Sequence, residues 1–383
     1  MDILKCFVGA LIFTSLGTFC STKIENGGKN IVCYYHQTLY FPPSEVPHQL
    51  CTHIVYAFAS ISNDTIVPDR PGDTETYDVL VGFKASNPKL KVMLSLQLGF
   101  NNVVTDPDTM KKFAINAIGF LRHYGFDGID FDWEFPKASQ KNRYMQFIQI
   151  FRAQTSLDSR LGNQTALLIS MALPNNNHQA SILYDYTILN NNIDFATLMA
   201  YDFHMYIPNV ENITGYNSPL VAPIGENPNS STSGLIAIYL GLGLTPEKAL
   251  AGIPTYGRSY TLANVKQHGL HSPAIEPGDP GPVRHLRGVY TFTDTCAALK
   301  LGGTSVWDPV SLVPYLYWGK SWVSYASEKS VAGKVRWAVS KGLGGVGVWA
   351  IHLDDLTGEC PGPKLPLINA IHSAMKSTRN HCL

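Results

Sequence analysis

Eight runs of β-branched and aromatic residues, most of them apolar on both faces, recur along the chain at 30–35, 52–59, 91–96, 126–134, 166–173, 193–201, 250–256 and 344–351. A strand covered on one side only would alternate, so continuous apolar runs predict a parallel sheet covered on both faces. Helical periodicity separates them, most clearly at 108–124, 140–157, 327–341 and 365–376. The first helix has a ready start at Asp106-Pro107-Asp108-Thr109, an acceptor followed by proline at the first helical position. Tyr144, Phe147, Ile148 and Phe151 share one face of the second. Eight strands alternating with helices predict an α/β fold, a (β/α)8 TIM barrel. A doubly wound open sheet is the competing arrangement, but Tyr34-Tyr35-His36-Gln37 is no glycine-rich phosphate turn after the first strand.

The stretch from Gly257 to about Tyr325 is too long for a simple crossover. Thr261, Val289-Tyr290-Thr291-Phe292 and Trp322-Val323-Ser324-Tyr325 read as short antiparallel strands. They predict a small α+β insertion at about 258–325, between strands seven and eight. The chain divides into a signal peptide at 1–20 and one barrel domain at 21–383.

At the N-terminus Lys5 precedes an apolar run from Cys6 to Leu16 and then small residues. This reads as a secretory signal, too short to span a bilayer. No later stretch approaches the roughly 18 apolar residues of a transmembrane helix. Sequons at Asn63, Asn163, Asn212 and Asn229 suit a secreted, extracellular glycoprotein. Lys+Arg and Asp+Glu both number 29, which argues against a nucleic-acid partner. Neither a membrane partner nor oligomerisation is expected. Of seven cysteines, Cys6 leaves with the signal, and Cys33 and Cys51 flank one loop as natural partners. Cleavage after Gly17 keeps Cys20, which can then approach Cys382. Cleavage after Cys20, the preferred site, leaves Cys382 odd.

The segment richest in chemistry is Phe126-Asp127-Gly128-Ile129-Asp130-Phe131-Asp132-Trp133-Glu134-Phe135-Pro136. Read as a strand, it puts Asp130, Asp132 and Glu134 on one face and Ile129, Phe131 and Trp133 on the other. Carboxylates about 6.6 Å apart on a segment built for burial do not all ionise comfortably. Their pKa values separate, leaving a protonated acid beside ionised partners, the requirement for glycosidic cleavage. A solvated edge would not alternate its acids with Ile, Phe and Trp. A calcium site would draw on a carbonyl-rich loop with a glycine turn. Glu134 ends the fourth strand, at the barrel face that holds active sites.

Asp127-x-x-Asp130-x-Asp132-x-Glu134 resembles the signature of family 18 glycoside hydrolases, the chitinases and chitinase-like lectins. The likeness extends from about Ile31 to Met375 and is nearest to the animal chitinases. It includes 51–58, Met199-Ala200-Tyr201-Asp202-Phe203-His204, 252–258 and Val348-Trp349-Ala350-Ile351. The resemblance implies a hydrolase of β-1,4-N-acetylglucosamine polymers that needs no cofactor or metal and retains anomeric configuration. Glu134 would be the general acid, with the substrate's own N-acetyl oxygen as nucleophile. Asp132 would orient the acetamido group, and Asp130 would share its proton load. Tyr201 and Asp202 would hold that group, and Trp349 would floor the subsite. Met199, Tyr34, Phe100 and Arg258 join the expected substrate-binding set. The family pattern also implies a Cys296–Cys360 disulfide beside Cys33–Cys51.

Four places depart from that pattern. Ser95-Leu96-Gln97-Leu98-Gly99-Phe100 stands for a Gly-Gly-Trp turn, and Met205-Tyr206 for a glycine after the histidine. His36-Gln37-Thr38 replaces a stretch with tryptophan, and His352 replaces an aspartate. The first three alter the cleft and leave every catalytic group in place. His123 and His204 lie in no metal-binding spacing. Lectin members typically lose the terminal glutamate, and Glu134 is present. A chitinase is therefore expected, with chitin or chitooligosaccharides as its partner. A binding-only lectin and a hydrolase of the chitobiose core of glycoproteins are the competing readings.

Overall fold

The computed structural model describes residues 28–380. The signal segment, its cleavage site, Cys6, Cys20 and Cys382 lie outside the described residues. Eight parallel strands run at Asn30–His36, His53–Ser62, Lys91–Leu98, Gly128–Phe131, Leu168–Leu173, Phe195–Leu198, Ala249–Pro254 and Gly345–Trp349. Each pairs with the next, and the last returns to the first with Cys33 opposite Val348. The sheet is therefore a closed TIM barrel, in which no barrel strand is left as an edge. Thr65–Pro68 adds a short antiparallel hairpin to the second strand.

Two expected strands prove shorter. The ladder of 126–134 narrows to Gly128–Phe131, and that of 193–201 to Phe195–Leu198. Asp132 N still donates to Leu96 O (2.9 Å) and Met199 N to Leu173 O (2.9 Å). Beyond those bonds the segments leave the sheet and turn into the cleft.

The core divides into layers. Val32, Tyr34, Val55, Ala57, Met93, Phe195 and Leu250 fill the barrel interior. Ile129, Phe131 and Trp133 face outward onto the helices, among Phe113, Tyr144, Phe147 and Phe151. The helix Pro107–His123 begins where Asp106 accepts from the amides of Asp108 and Thr109, bonds that satisfy orphan donors of the first turn. Lys141–Gly162 buries Tyr144, Phe147, Ile148 and Phe151 along one stripe. Glu328–Ser340 and Pro366–Asn380 close the ring.

Between the seventh and eighth strands lies a six-stranded antiparallel sheet built from Tyr256–Leu262, Ala274–Pro277, Val289–Thr291, Thr304–Asp308, Val313–Trp318 and Ser321–Ser324. Tyr256 belongs to this sheet rather than to the barrel strand. Thr255 makes the turn, its amide and hydroxyl bonded to the carbonyls of Trp349 (2.9 Å) and Ala350 (2.6 Å). Cys296, on the helix Phe292–Lys300, is disulfide-bonded to Cys360 beyond the eighth strand. Cys33–Cys51 joins the first strand to the loop before the second. Among the described residues no helix is long and apolar enough to cross a membrane.

Candidate active site

The C-terminal ends of the fourth, sixth, seventh and eighth strands converge on one cleft. Asp130 is fully buried, and its carboxylate is cradled by hydroxyls. Ser95 donates to Oδ2 at 2.8 Å, Ser170 to Oδ1 at 2.6 Å and Tyr34 to Oδ2 at 3.4 Å. Parallel register explains the cradle, because Ser95 and Ser170 stand opposite Asp130 on its two neighbouring strands. Burial pushes the Asp130 carboxyl up, and these bonds hold it back.

Asp132 is 4% exposed, whereas Glu134 opens to solvent. Their carboxyls lie close enough for the titration of each to depend on the other. Burial raises both above the ordinary carboxylate range. The charges of Glu134 and Asp130 push Asp132 further, whereas at Glu134 the interaction with Asp132 holds the carboxyl back and the charge of Asp202 pushes it up. Asp132 Oδ1 has no partner among the described residues. The ladder thus runs from a buried, hydroxyl-bound carboxylate to an exposed carboxyl whose titration is tied to its neighbour's.

Tyr201 and Asp202 follow the sixth strand. Tyr201 is 8% exposed, and burial followed by the charge of Asp132 keeps its hydroxyl protonated. Asp202 sits at φ 57°, a left-handed conformation that Asp tolerates better than most residues. Asn217 Oδ1 accepts its amide (2.9 Å), and Asn175 Nδ2 donates to the Tyr201 and Asp202 carbonyls. Its carboxylate takes Arg258 Nε at 2.6 Å, Arg258 Nη2 at 2.7 Å and the Tyr256 hydroxyl at 2.6 Å. Arg258 is therefore committed to Asp202, and its place in the site is behind that residue. Trp349 is half-buried, its ring 5.6 Å from Tyr34 and 5.7 Å from Phe58, nearly parallel to the latter. Met199 packs into the same interior cluster.

Phe100 is placed differently from its expected role. It is 1% exposed and stacks on Trp133 with ring centroids 5.1 Å apart, outside the barrel interior. Gly99 turns the chain there at φ 94°, where a Cβ would lie 2.2 Å from the Ile61 carbonyl oxygen. The altered turn after the third strand thus retracts its aromatic ring from the cleft. Tyr34 is 3% exposed and supports Asp130 from below. Asp127 lies at the opposite end of its strand, paired with Lys84 (3.1 Å) and Lys91 (3.5 Å), and accepts the Val92 amide.

Ser95, Ser170, Tyr256, Asn175 and Phe58 are site residues that the motif reading passed over. Tyr256 alone carried a usable signal, two residues before Arg258. A cavity of about 280 Å³ beside Asp202 is lined by Asn175, Asn176, Asn177, Glu211 and Asn229. Asn63, Asn163 and Asn212 are exposed and Asn229 half-buried. Among the described residues no group of three or more His, Cys, Asp or Glu side chains is arranged to hold a metal ion.

An inward ladder of acids at the mouth of a (β/α)8 barrel, with a tyrosine and a tryptophan facing it, defines a glycosidase-type site. The sequence model of glycosyl hydrolases family 18 matches residues 30–354, and the chain belongs to that family. Mouse (Mus musculus) chitotriosidase-1 is 32% identical over 357 residues, covering 89% of this chain and 75% of that protein. An immunomodulatory active chitinase from Trichuris suis superposes with a TM-score of 0.86 at 29% identity, over 91% of this chain and all of its own. Human YKL-39, described as a pseudo-chitinase with retained chitooligosaccharide binding properties, gives 0.87 at 29% identity with the same coverage.

Proposed function

We propose that the protein is a secreted chitinase that hydrolyses β-1,4-N-acetylglucosamine linkages with retention. The observation that carries this reading is the placement of exposed Glu134 beside buried Asp132, with both carboxyls raised above the ordinary carboxylate range. A general acid must be protonated at working pH and must reach the leaving oxygen. Glu134 is exposed, and its surroundings favour the protonated form. In this reading Glu134 donates its proton to the glycosidic oxygen as the anomeric C–O bond breaks. The substrate's acetamido oxygen closes on the anomeric carbon and forms an oxazolinium ion. Asp132, buried and anionic after the transfer, faces that cation, where fixed charge in a dry site is most effective. Tyr201 donates to the acetamido oxygen, and Asp202, clamped by Arg258 and Tyr256, holds the sugar. Water then opens the ring from the face that the leaving group vacated and returns a proton to Glu134, so configuration is retained. Trp349 gives the distorted pyranose an apolar floor.

Retraction of Phe100 from the cleft favours the second reading, a lectin that binds chitooligosaccharides without cleaving them. Release of a fluorophore from chitobiose and chitotriose conjugates separates the two. The proposal expects turnover in the native protein and a loss of about 10²–10⁴-fold in Glu134→Gln. Calorimetric binding of chitotetraose should stay within about threefold, a small part of a typical binding free energy. A native protein that binds chitotetraose and releases no fluorophore is the lectin.

A further inference from the structure

Past Trp349 a run of aromatic side chains leads to the end of the first strand, and the chemistry changes there. Phe58 stacks on Trp349, and His36 lies edge-on to Phe58 at 6.3 Å. His36 in turn lies 5.4 Å from His352. Arg70 Nη2 donates to His36 Nε2 at 2.9 Å, and Arg70 Nη1 to the Gln37 carbonyl at 2.7 Å. That bond leaves the His36 proton on Nδ1. From the insertion, Arg284 lies over the Tyr40 ring at 3.9 Å, and its positive charge reaches His352. His352 is 8% exposed, and its Nδ1 has no partner among the described residues. Burial, followed by the charges of His36, Arg284 and Arg70, depresses it to about 3, so the ring is neutral. Beside the cluster a cavity of about 360 Å³ is lined by Gln37, Thr38, Leu39, Arg70 and Pro71.

Neither guanidinium is held by a carboxylate. Among the described residues neither Arg70 nor Arg284 forms an ion pair. Asp73 is buried and holds the Tyr56 hydroxyl together with the Asp69 and Arg70 amides. Asp294 is buried and holds the Val283 and Arg284 amides and the Thr291 hydroxyl. Two guanidiniums without an ion-pair partner at the end of an aromatic path suit an oxyanion carried by the sugar chain itself. A neutral N-acetylglucosamine polymer has no group that calls for them.

We propose that the first-strand end of the cleft is a subsite for an anionic substituent, a sulfate ester or a carboxylate, on a terminal sugar of a chitooligosaccharide, held by Arg70 and Arg284. The inference rests on the sugar-binding reading above and narrows its substrate class. The test measures binding to Glu134→Gln by calorimetry. The ligands are neutral chitotetraose, chitotetraose sulfated at one terminus or the other, and chitotetraose ending in glucuronate. One anionic oligomer should bind about tenfold tighter than the neutral one, as for a partly exposed charged contact. The gain should vanish in Arg70→Ala and Arg284→Ala and fall in 0.5 M salt, while neutral chitotetraose binds these variants unchanged. A gain with sulfate alone or with glucuronate alone identifies the anion. Equal affinity for neutral and anionic oligomers overturns the subsite and leaves the chitinase reading standing. Failure of every oligomer to bind overturns both.

Discussion

Asp202 is held in the cleft by one guanidinium, and the cost of removing it can be worked from the geometry. Arg258 makes two charge-assisted bonds to the carboxylate, at 2.6 and 2.7 Å. The two side chains are 22% and 24% exposed, so water replaces only part of what is lost. Hydrogen bonds to charged groups contribute about 1.5–3 kcal/mol each when well buried. Discounted for partial exposure and for the Tyr256 bond that remains, Arg258→Met should destabilise the protein by about 2–3 kcal/mol. With an unfolding entropy of about 0.8 kcal/mol/K for a chain of this length, Tm should fall by about 3 °C. Asp202→Asn keeps the shape and tolerates the left-handed backbone. A double-mutant cycle of Arg258→Met with Asp202→Asn, read by urea denaturation, should show a coupling of about 2 kcal/mol. Turnover of a chitotriose conjugate should fall in both single variants, because Asp202 loses its orientation in one and its charge in the other. A coupling below about 0.5 kcal/mol would refute the clamp.

The same Asp202→Asn variant should move the alkaline limb of the kcat/KM pH profile to lower pH. The charge of Asp202, after burial, raises Glu134, and an acid that loses its proton sooner works over a narrower range. A limb that stays or rises contradicts that coupling. On the far side of Asp202, His204 donates to Glu211 (2.5 Å) and Glu226 (3.2 Å), and Glu226 also accepts from His271. Burial opposes its charge, but the bonds to Glu211 and Glu226 outweigh that and raise it from 6.5 to about 9. Its stabilisation is complete below about pH 6.5 and is lost as pH rises through about 9. His204→Gln should flatten the fall in stability over that interval, as measured by denaturation at stepped pH. Replacing Cys296 and Cys360 together by alanine should cost about 2–4 kcal/mol and loosen the helix Phe292–Lys300, visible as faster amide exchange. Unchanged exchange would show that the Thr291 and Asp294 capping bonds alone hold that helix.

Local pattern carried much of this protein. Apolar runs of strand length, helices with their own caps and acids spaced two apart are properties of neighbouring residues. Backbone stereochemistry turns them into strands, helices and one acidic face wherever they occur. The number of such strands implied closure, and the oversized gap before the eighth implied an insertion. What tertiary structure decided was depth. Asp130, Asp132 and Glu134 are equivalent in the sequence, yet one is sealed, one nearly so and one open. The sheet ends at Phe131, and the two later acids climb out of it. Dielectric changes along that climb, and with it each carboxyl's tendency to hold a proton. The Ser95–Asp130–Ser170 cradle depends on parallel register between strands about 40 residues apart, which no local pattern records. Phe100 carries the aromatic chemistry of a sugar platform, but the turn at Gly99 points it at Trp133 instead. His36, Arg70, Arg284 and His352 come from four separate segments and meet only because a closed barrel brings its first and eighth strands side by side. Residue type told what chemistry was available, and the three-dimensional packing told which groups share a solvent or a charge.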